Sequence, residues 1–383
     1  MARHHSELLI RYFPELRLLE EEEVWVVGGT IRDLMTGREP GDADLACRKA
    51  GEVARRFSHR AGARLVDLGR ERFVTLRVVA GSRIYDFSEL HGGSIEHDLG
   101  RRDFTLNAIA FDLARGSTVD PFDAAADLEA RRLRMVDRGN LEDDPLRLLR
   151  GIRFAADFDL EIERGTLAAI RELAPRLWDA ASERIRAEID LIFALPRRGR
   201  AVRLLAGTGL DRVILGGQIT PAIADVVERA GDRDPLTVWS ILLDGRTAEE
   251  LRGLGERLRW SRADRDSILQ TLALVRTMRE NPPARGDLAI LLHDAGKEAS
   301  SRAATLLDAF GDRHNAEHIG DLIGEGGEAL FAMRPLIDGN RAGALLGIDA
   351  GPRIGKILRE LLEAQIRGEI RSAAEAEEWV VER

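Results

Sequence analysis

The hydrophobic pattern of the chain changes near residue 137. Before this point, short apolar or alternating runs are typical of strands, and only two stretches are helical in character. The predicted strands are 24–29 (VWVVGG), 43–47 (ADLAC), 73–79 (FVTLRVV), 83–89 (RIYDFSE), 109–113 (IAFDL) and 132–136 (RLRMV), and the predicted helices are 49–60 and 121–130. After residue 137, apolar residues recur with a helical period almost to the end. The pattern predicts a mixed α and β domain with a small sheet, followed by an all-helical part.

Breaks rich in proline and glycine interrupt the helical part. They fall near 195–199, 215–217, 281–283 and 324–327. The length of 383 residues allows two to four domains. No run approaches the roughly 20 apolar residues of a membrane span, and the N-terminus lacks the apolar core of a signal peptide. The single cysteine, Cys47, suits a reducing compartment. We therefore expect a cytoplasmic protein with no membrane attachment.

The charge of the chain argues against a polyanion coat over its whole surface. The net charge is −9, with 57 basic and 66 acidic residues. Lysine occurs only at Lys49, Lys297 and Lys356, so nearly all of the cations are arginine. Between Arg131 and Arg203, however, 16 basic residues face 13 acidic ones. This stretch is where we expect a polyanion to bind.

A glycine pair follows the first predicted strand. Gly28 and Gly29 open a turn into a short helical stretch that contains Arg32. Such a strand, turn and helix let backbone N–H groups approach a phosphate closely. Arg32, one turn into the helix, would reach the same anion. A plain tight turn is the alternative interpretation.

Asp42 and Asp44 stand at alternate positions where the next strand begins, so both side chains point to one face of it. Two such carboxylates repel each other unless a cation lies between them. Mg²⁺ binds one or two carboxylates together with substrate phosphates. Beside the glycine turn, the pair predicts a metal site for phosphoryl or nucleotidyl transfer, with an exposed turn as the alternative. Asp86 in the strand 83–89 is a candidate third metal carboxylate, or else an exposed strand acid.

The segment RRDFTLNAIA at 101–110 places polar groups directly before an apolar run. Arg102 has the donors to bind a phosphate or a ribose hydroxyl. Asp103 is able to accept hydrogen bonds from a sugar. Alternatively, Asp103 caps the following turn and the arginines are surface charge.

A predicted amphipathic helix runs from Asp144 to about residue 157. The helical period places Asp144, Arg147, Arg150 and Arg153 on one half of its surface. Three arginines at this spacing repel one another unless anions lie along them. An aspartate beside an arginine offers an acceptor and a donor to the edge of a nucleobase. A solvated charged face is the alternative.

Together these motifs resemble the class II tRNA nucleotidyltransferases, the CCA-adding enzymes, and their bacterial poly(A) polymerase relatives. The matching segments are GGTIRD (28–33), DAD (42–44), RRDFTLNAIA (101–110), DPFDAAADLEARRLR (120–134), DDPLRLLRGIRFAA (143–156), SERIRAEI (182–189) and LGIDAGPRIGKILRELLEAQIRGEI (346–370). The resemblance implies an α+β fold: a nucleotidyltransferase head with a small mixed β-sheet at 1–136, a helical neck with the base-selecting helix at 137–205, a helical body at 206–330 and an RNA-binding helical tail at 331–383. It also implies CTP and ATP as substrates, the acceptor arm of tRNA as partner and pyrophosphate as product. The oligomeric state stays open.

The resemblance also implies a role for each candidate residue. Asp42 and Asp44 would be catalytic and would bind Mg²⁺, while Gly29 and Arg32 would hold the triphosphate. The helix at 182–189 would brace the base-selecting helix. The remaining nucleotide-binding candidates are Arg102 and Asp103 near the ribose, Asp144 and Arg147 at the base, and Arg150 and Arg153 around the pocket.

The segment from Asp86 to Asp98 is short for this family. CCA-adding members commonly carry a longer flexible loop there, and a shortened loop resembles the CC-adding branch. Some A-adding and poly(A)-adding relatives are equally short. We therefore expect CC addition, with A addition, complete CCA addition and poly(A) synthesis as alternatives.

A different class of enzyme is indicated by LLHDAGK at 291–297, which resembles the core of an HD phosphohydrolase. Such a metal site also needs a histidine upstream, and the sequence has none between His97 and His293. The alternative is an ordinary helix end capped by Gly296.

Overall fold

The computed structural model describes residues 2–67, 75–217, 219–231, 234–349 and 351–383. The chain forms two compact units, one of residues 1–197 and 204–218 and the other of residues 198–203 and 219–383. All strands lie in the first unit, and the described part of the second is helical. This arrangement confirms the predicted α+β class.

Seven strands form a mixed sheet in the first unit. They are β1 (Val24–Val27), β2 (Ala43–Cys47), β3 (Arg64–Asp67), β4 (Thr75–Ala80), β5 (Arg83–Glu89), β6 (Ala110–Asp112) and β7 (Ser117–Val119). Their order is β3-β4-β5-β2-β1-β6-β7. β2 and β5 are parallel, and the other neighbours are antiparallel. A separate parallel pair joins β8 (Arg132–Leu133) and β9 (Glu161–Ile162).

Helices surround the strands and form the rest of the chain. The first eleven are α1 (Ala2–Tyr12), α2 (Gly29–Met35), α3 (Ala50–Ala61), α4 (Ile95–Gly100), α5 (Ala124–Glu129), α6 (Arg138–Asp143), α7 (Leu146–Asp157), α8 (Arg164–Leu173), α9 (Ser182–Phe193), α10 (Arg198–Thr208) and α11 (Leu210–Leu215). The second unit continues with α12 (Pro221–Arg229), α13 (Pro235–Leu243), α14 (Ala248–Arg257), α15 (Arg262–Glu280), α16 (Arg285–Ala295), α17 (Lys297–Ala309), α18 (Arg313–Ala332), α19 (Gly339–Leu346), α20 (Pro352–Ile366) and α21 (Ala373–Val381). Short 3-10 turns occur at Pro14–Leu19, His91–Gly93, Thr105–Asn107 and Ala174–Asp179.

The central strands of the sheet are buried on both faces. Val24 and Val26 of β1 join one apolar cluster, whereas Trp25 and Val27 join a second cluster that also contains Ala46 of β2. Alternate residues of a strand point to opposite faces. Asp44 therefore shares the face of Ala46, beside the second cluster.

The central predicted strands are confirmed, but others differ in extent. The predicted strand at 132–136 is only the two residues of β8, and residues 73 and 74 of the predicted strand 73–79 lie outside the described residues. The predicted helix at 121–130 begins later, at Ala124. The Asp120 carboxylate explains this start, because it accepts hydrogen bonds from the backbone N–H groups of Ala124 (2.7 Å) and Ala125 (3.0 Å).

The predicted base-selecting helix also begins later than expected. Asp144 has extended backbone angles (φ −138°, ψ 92°), and α7 starts at Leu146. The reason is Pro145, because a residue before proline is excluded from the helical region. Asp144 therefore precedes the helix instead of lying on its polar face. The predicted apolar half of α7 is buried as expected, including Leu148 and Ile152.

Three of the four predicted breaks separate helices, near 195–199, 215–217 and 281–283. The fourth, at 324–327, lies inside α18, where Gly327 adopts φ +50° and interrupts the helix. Among the described residues, no helix combines the length and the apolar character that crossing a membrane requires.

Candidate active site

Three carboxylates converge where β2 and β5 run side by side. Asp44 and Asp86 are direct neighbours in the parallel register of the two strands, and Asp42 precedes β2. One oxygen of each carboxylate lies within 4.8 Å of the others. Within the described ranges, no other group of three or more acidic, histidine or cysteine side chains comes together in this way. The structure thus brings together the predicted catalytic pair and the candidate third carboxylate.

The electrostatics of these carboxylates fit a bound divalent cation. Burial raises the pKa of Asp44 to about 6, and the neighbouring Asp42 and Asp86 carboxylates add to this effect. Burial and Asp86 likewise raise the pKa of Asp42. Carboxylate oxygens are the ligands that hard divalent cations prefer. A cation between them would remove the repulsion that raises both pKa values.

Arg77 is a residue of this site that the sequence analysis missed. Its guanidinium binds the Asp86 carboxylate through two hydrogen bonds, Nε to Oδ1 at 2.8 Å and Nη2 to Oδ2 at 2.7 Å. Because Arg77 on β4 is the direct antiparallel neighbour of Asp86 on β5, the register of the sheet enforces this pair. The charge of the third carboxylate is therefore already compensated by the protein.

The glycine turn brings backbone and Arg32 to the same site. Gly28 has φ +64°, and a Cβ atom there would collide with the Arg102 guanidinium, so only glycine fits. A Cβ at Gly29 would lie 3.6 Å from an Asp44 oxygen, which shows how closely this backbone approaches the carboxylates. The predicted phosphate-binding turn is therefore adjacent to the predicted metal carboxylates.

Arg32 is held in one orientation by three side chains. Its Nε and Nη2 donate to Asp33 Oδ1 (2.9 and 2.8 Å), and its Nη1 donates to Asn107 Oδ1 (2.7 Å). The Arg32 guanidinium carbon also lies 4.7 Å from the centroid of the Phe158 ring. Sequence analysis did not single out Asp33, Asn107 or Phe158, because their effect depends on contacts with Arg32.

Arg102 and Asp103 point into different contacts. The Arg102 guanidinium donates to Asp98 (3.2 Å) and to the backbone oxygen of Asn107 (3.3 Å), and its buried Nε has no hydrogen-bond partner among the described residues. Asp103 is 4% exposed and accepts from Phe104 N (2.8 Å), Asn107 Nδ2 (2.9 Å) and Arg150 Nε (2.7 Å). Burial opposes ionisation of Asp103, but Arg150 and Asn107 outweigh it and hold its pKa below the usual value.

The polar residues of the α7 region are each anchored by another part of the first unit. Arg147 Nη1 donates to the backbone oxygens of Arg101 (2.9 Å) and Asn140 (3.1 Å). Arg153 binds Glu188 of α9 at 2.5 Å, so α9 braces α7 as expected. Asp144 accepts from Arg184 Nη2 at 2.9 Å. Arg150 and Arg153 are paired with carboxylates inside the protein. These two arginines therefore do not need an external anion to balance their charge.

These groups line one pocket of about 520 Å³. It contains all ten predicted catalytic and nucleotide-binding residues: Gly29, Arg32, Asp42, Asp44, Arg102, Asp103, Asp144, Arg147, Arg150 and Arg153. Its further lining residues, which the sequence analysis missed, are Asp33, Asn107, Leu146, Phe154 and Arg184. The two carboxylates, the glycine turn and the Asp144 and Arg147 side chains thus line one cavity.

The segment that resembles an HD phosphohydrolase is an ordinary helix end. α16 ends at Ala295 and Gly296 follows with φ +82°, as the alternative interpretation predicted. Asp294 is held by the Arg359 guanidinium, which lowers its pKa, and His293 Nε2 lies 3.2 Å from the backbone oxygen of Met333. In the part of the chain that the structure describes, no metal-ligand cluster forms here.

Two protein-family models match segments of this chain. A model of the poly(A) polymerase head domain matches residues 24–92 and 85–134. A second model, the probable RNA- and SrmB-binding site of polymerase A, matches residues 159–224. The first match spans the carboxylates and the glycine turn.

Relatives align over nearly the whole chain. A CC-adding tRNA nucleotidyltransferase of Synechocystis is 32% identical over 92% of this chain and 91% of its own. An A-adding tRNA nucleotidyltransferase of Deinococcus radiodurans is 30% identical over 93% and 94%. The fold is similar to that of the Bacillus stearothermophilus CCA-adding enzyme in complex with CTP, with a TM-score of 0.79, 24% identity and coverage of 99% and 97%. The chain belongs to the class II tRNA nucleotidyltransferase and poly(A) polymerase family.

Proposed function

We propose that this protein is a tRNA nucleotidyltransferase that adds two cytidine residues from CTP to the 3′ end of tRNA and releases pyrophosphate. The observation that carries this proposal is the single pocket in which Asp42 and Asp44 lie beside the Gly29 turn, with Asp144 and Arg147 in the same cavity. Metal carboxylates, a phosphate cradle and a base-selecting pair are the three parts that template-independent nucleotidyl transfer requires.

Asp42 and Asp44 would hold the divalent metal, which we propose is Mg²⁺. The bound metal supplies Lewis-acid chemistry, lowering the pKa of the attacking 3′-hydroxyl and stabilising charge on the leaving pyrophosphate. Asp42 and Asp44 would fix the position of that metal beside the glycine turn.

The triphosphate would bind at the glycine turn. A Cβ at Gly29 would lie 3.6 Å from both Arg32 Nη2 and an Asp44 oxygen, so the turn, the guanidinium and the carboxylate are neighbours, and Asp33 and Asn107 keep Arg32 in place. Arg102 lines the same pocket, and its guanidinium offers a donor to a phosphate or the ribose. In this arrangement Asp103 acts indirectly, by orienting Arg150.

Asp144 and Arg147 would select the base. The Asp144 carboxylate accepts from the exocyclic amine that C and A share, and Arg147 donates to a ring acceptor. Uracil and guanine present the opposite pattern at that edge, so either would leave buried polar groups unpaired. The anchors on both residues, Arg184 on Asp144 and two backbone oxygens on Arg147, keep the pair in one geometry.

The preference for CC addition rests on the connection between β5 and α4. Only Leu90–Ser94 separates Glu89 from Ile95, and a 3-10 turn fills most of that span. A switch from C to A selection requires a segment that moves Asp144 and Arg147. A connection as short as Leu90–Ser94 is able to shift these side chains only slightly. The relatives include both CC-adding and A-adding enzymes, and some A-adding relatives are equally short here, so the transcript assay below separates CC addition from A addition.

The RNA partner would be the acceptor arm of tRNA, bound through its backbone and shape. The probable RNA-binding match at 159–224 overlaps the arginine-rich stretch 131–203. We retain the four-part division of the chain into a head (1–136), neck (137–205), body (206–330) and tail (331–383) as part of this proposal. We also place the protein in the cytoplasm, where the buried Cys47 thiol stays reduced.

Three tRNA transcripts test the proposal, ending before CCA, after the first C and after CC. Each is incubated with CTP, with ATP and with both, and the product lengths are measured on a gel. We expect two C residues on the first transcript and one on the second, then arrest even with ATP present. A single A added only to the CC-ended transcript would show an A-adding enzyme, and complete CCA ends a CCA-adding one. Long A tails on unrelated RNA would show a poly(A) polymerase.

A further inference from the structure

Three charged side chains stand in one row across neighbouring strands. Arg77 on β4 is the register partner of Asp86 on β5, and Asp86 is the register partner of Asp44 on β2. Direct cross-strand neighbours point to the same face of a sheet. The row therefore places one fixed cation at the end of a line of carboxylates that face the metal site.

Arg77 occupies both oxygens of Asp86 in a bidentate bond. The Asp86 side chain is only 13% exposed, so little water competes for it. Asp42 and Asp44 have no such partner at bonding distance among the described side chains, and they remain open to the pocket. Asp86, although close to both, does not line that pocket. Asp86 is therefore paired inside the protein, whereas Asp42 and Asp44 remain available to a ligand in the pocket.

We propose that Arg77 is a positioning residue that holds Asp86 out of metal coordination, so that the site binds a divalent cation weakly until a nucleoside triphosphate arrives. This inference rests on the proposed metal role of Asp42 and Asp44. Three ionised carboxylates together attract a divalent cation strongly even without substrate. With Asp86 neutralised, two carboxylates remain, and the phosphate oxygens of the incoming nucleotide complete the coordination. Metal and nucleotide therefore enter together.

The test measures Mn²⁺ binding to the metal-free full-length protein, without RNA or nucleotide, from the electron paramagnetic resonance signal of free Mn²⁺. Arg77→Ala should bind Mn²⁺ roughly tenfold more tightly than the wild type, because it removes a nearby positive charge and frees Asp86. Arg77→Lys keeps the charge but loses the bidentate bond, so its Mn²⁺ affinity should lie between those of the wild type and Arg77→Ala. The double variant Arg77→Ala with Asp86→Asn should lose the gain. With saturating CTP, the difference in Mn²⁺ affinity between the wild type and Arg77→Ala should become smaller.

If the Arg77–Asp86 salt bridge has only a structural role, the same measurements should give a different result. Arg77→Ala would then lower the melting temperature while Mn²⁺ affinity stayed equal or fell, and that outcome overturns the inference. If Arg77→Ala does not fold, Arg77→Gln replaces it, because glutamine still donates a hydrogen bond to Asp86 without the charge. Asp42→Asn separates the two proposals. If it leaves Mn²⁺ binding unchanged, the metal role of the catalytic pair is wrong, whereas the transcript assay reports on function independently of Arg77.

Discussion

The Arg150 guanidinium lies 2.7 Å from the buried carboxylate of Asp103, although the two residues are 47 positions apart in the sequence. Asp103 belongs to the segment before β6 and Arg150 to α7, so this bond ties the sheet side of the pocket to the base-selecting side. Both residues line the pocket. Asp103 therefore sets where Arg150 points, and it does so with a charge that burial alone would disfavour.

Asp103→Asn should lower kcat/KM for CTP by roughly 10- to 100-fold, because Arg150 loses the charge that orients it. The variant keeps the shape of the side chain, so the loss reports on the ion pair. Steady-state kinetics with a tRNA transcript measure it. Asp266→Asn is a matched control, since Asp266 pairs with Arg262 at an exposed position outside the pocket and outside the RNA-binding match and should leave kcat/KM unchanged. Equal kinetics for Asp103→Asn and the wild type would contradict the orienting role.

Asp44→Asn should abolish nucleotidyl transfer and stabilise the metal-free protein at pH 7.5. The pKa of Asp44 is raised from 3.8 to about 6, so its ionised form destabilises the folded state by up to about 3 kcal/mol. That cost is present above pH 6 and disappears as Asp44 becomes protonated towards pH 4. The melting temperature of the variant should therefore exceed that of the wild type at pH 7.5 and approach it at pH 4.5. A variant less stable than the wild type at pH 7.5 would contradict the raised pKa of Asp44 in the folded protein.

Arg147→Ala should weaken selection for C and A over U and G more than it weakens triphosphate binding. The guanidinium is the donor for the base, whereas the triphosphate binds at the Gly29 turn. Discrimination against UTP should fall by roughly 10- to 100-fold, since the donor to the ring acceptor is lost. Single-nucleotide incorporation with each of the four triphosphates measures this. Arg176→Ala, at an exposed pair with Asp179, is the control. Unchanged discrimination in Arg147→Ala would exclude its role in base selection.

His293→Ala should leave nucleotidyl transfer within about twofold of the wild type. The Asp294 carboxylate is occupied by Arg359, and α16 ends beside it as a capped helix. No metal-dependent phosphatase activity is expected from either protein. A phosphatase activity that survives Asp42→Asn and vanishes in His293→Ala would instead show a working HD site.

The residues predicted from sequence were those whose role follows from local spacing. Asp42 and Asp44 alternate along a strand, and Gly29 and Arg32 follow a strand end, so each is recognisable within a few positions. Their partners in the folded chain were not predicted, because nothing local links Glu188 to Arg153 or Arg184 to Asp144. Such pairs depend on how α7 and α9 pack.

Two features that we did not predict do have a local signal in the sequence, namely the position of Arg77 opposite Asp86 and the start of α7. The dipeptide Gly81-Ser82 between two β-like runs is typical of a two-residue hairpin turn, and it pairs Ala80 with Arg83. Counting back from that turn places Arg77 opposite Asp86. Similarly, Pro145 forbids a helical conformation at Asp144, so the start of α7 was predictable from the sequence.

The affinity for tRNA should fall as the salt concentration rises, but less steeply than the 16 basic residues of 131–203 alone would indicate. At least eleven of these sixteen arginines already have acidic partners: Arg131 and Arg197 with Asp159, Arg132 and Arg134 with Asp127, Arg138 with Glu142 and Glu172, Arg150 with Asp103, Arg153 with Glu188, Arg176 with Asp179, Arg184 with Asp144, Arg186 with Asp190, and Arg203 with Asp225. Only phosphate contacts that release counterions contribute to the slope, so we expect roughly two to four of them from a plot of log Kd against log salt.

Arg164, exposed at the start of α8 and inside the RNA-binding match, is the first cation to test. Arg164→Ala should reduce the slope by about one, whereas Arg115→Ala, exposed but outside that match, should not change it. An affinity independent of salt would contradict backbone binding altogether.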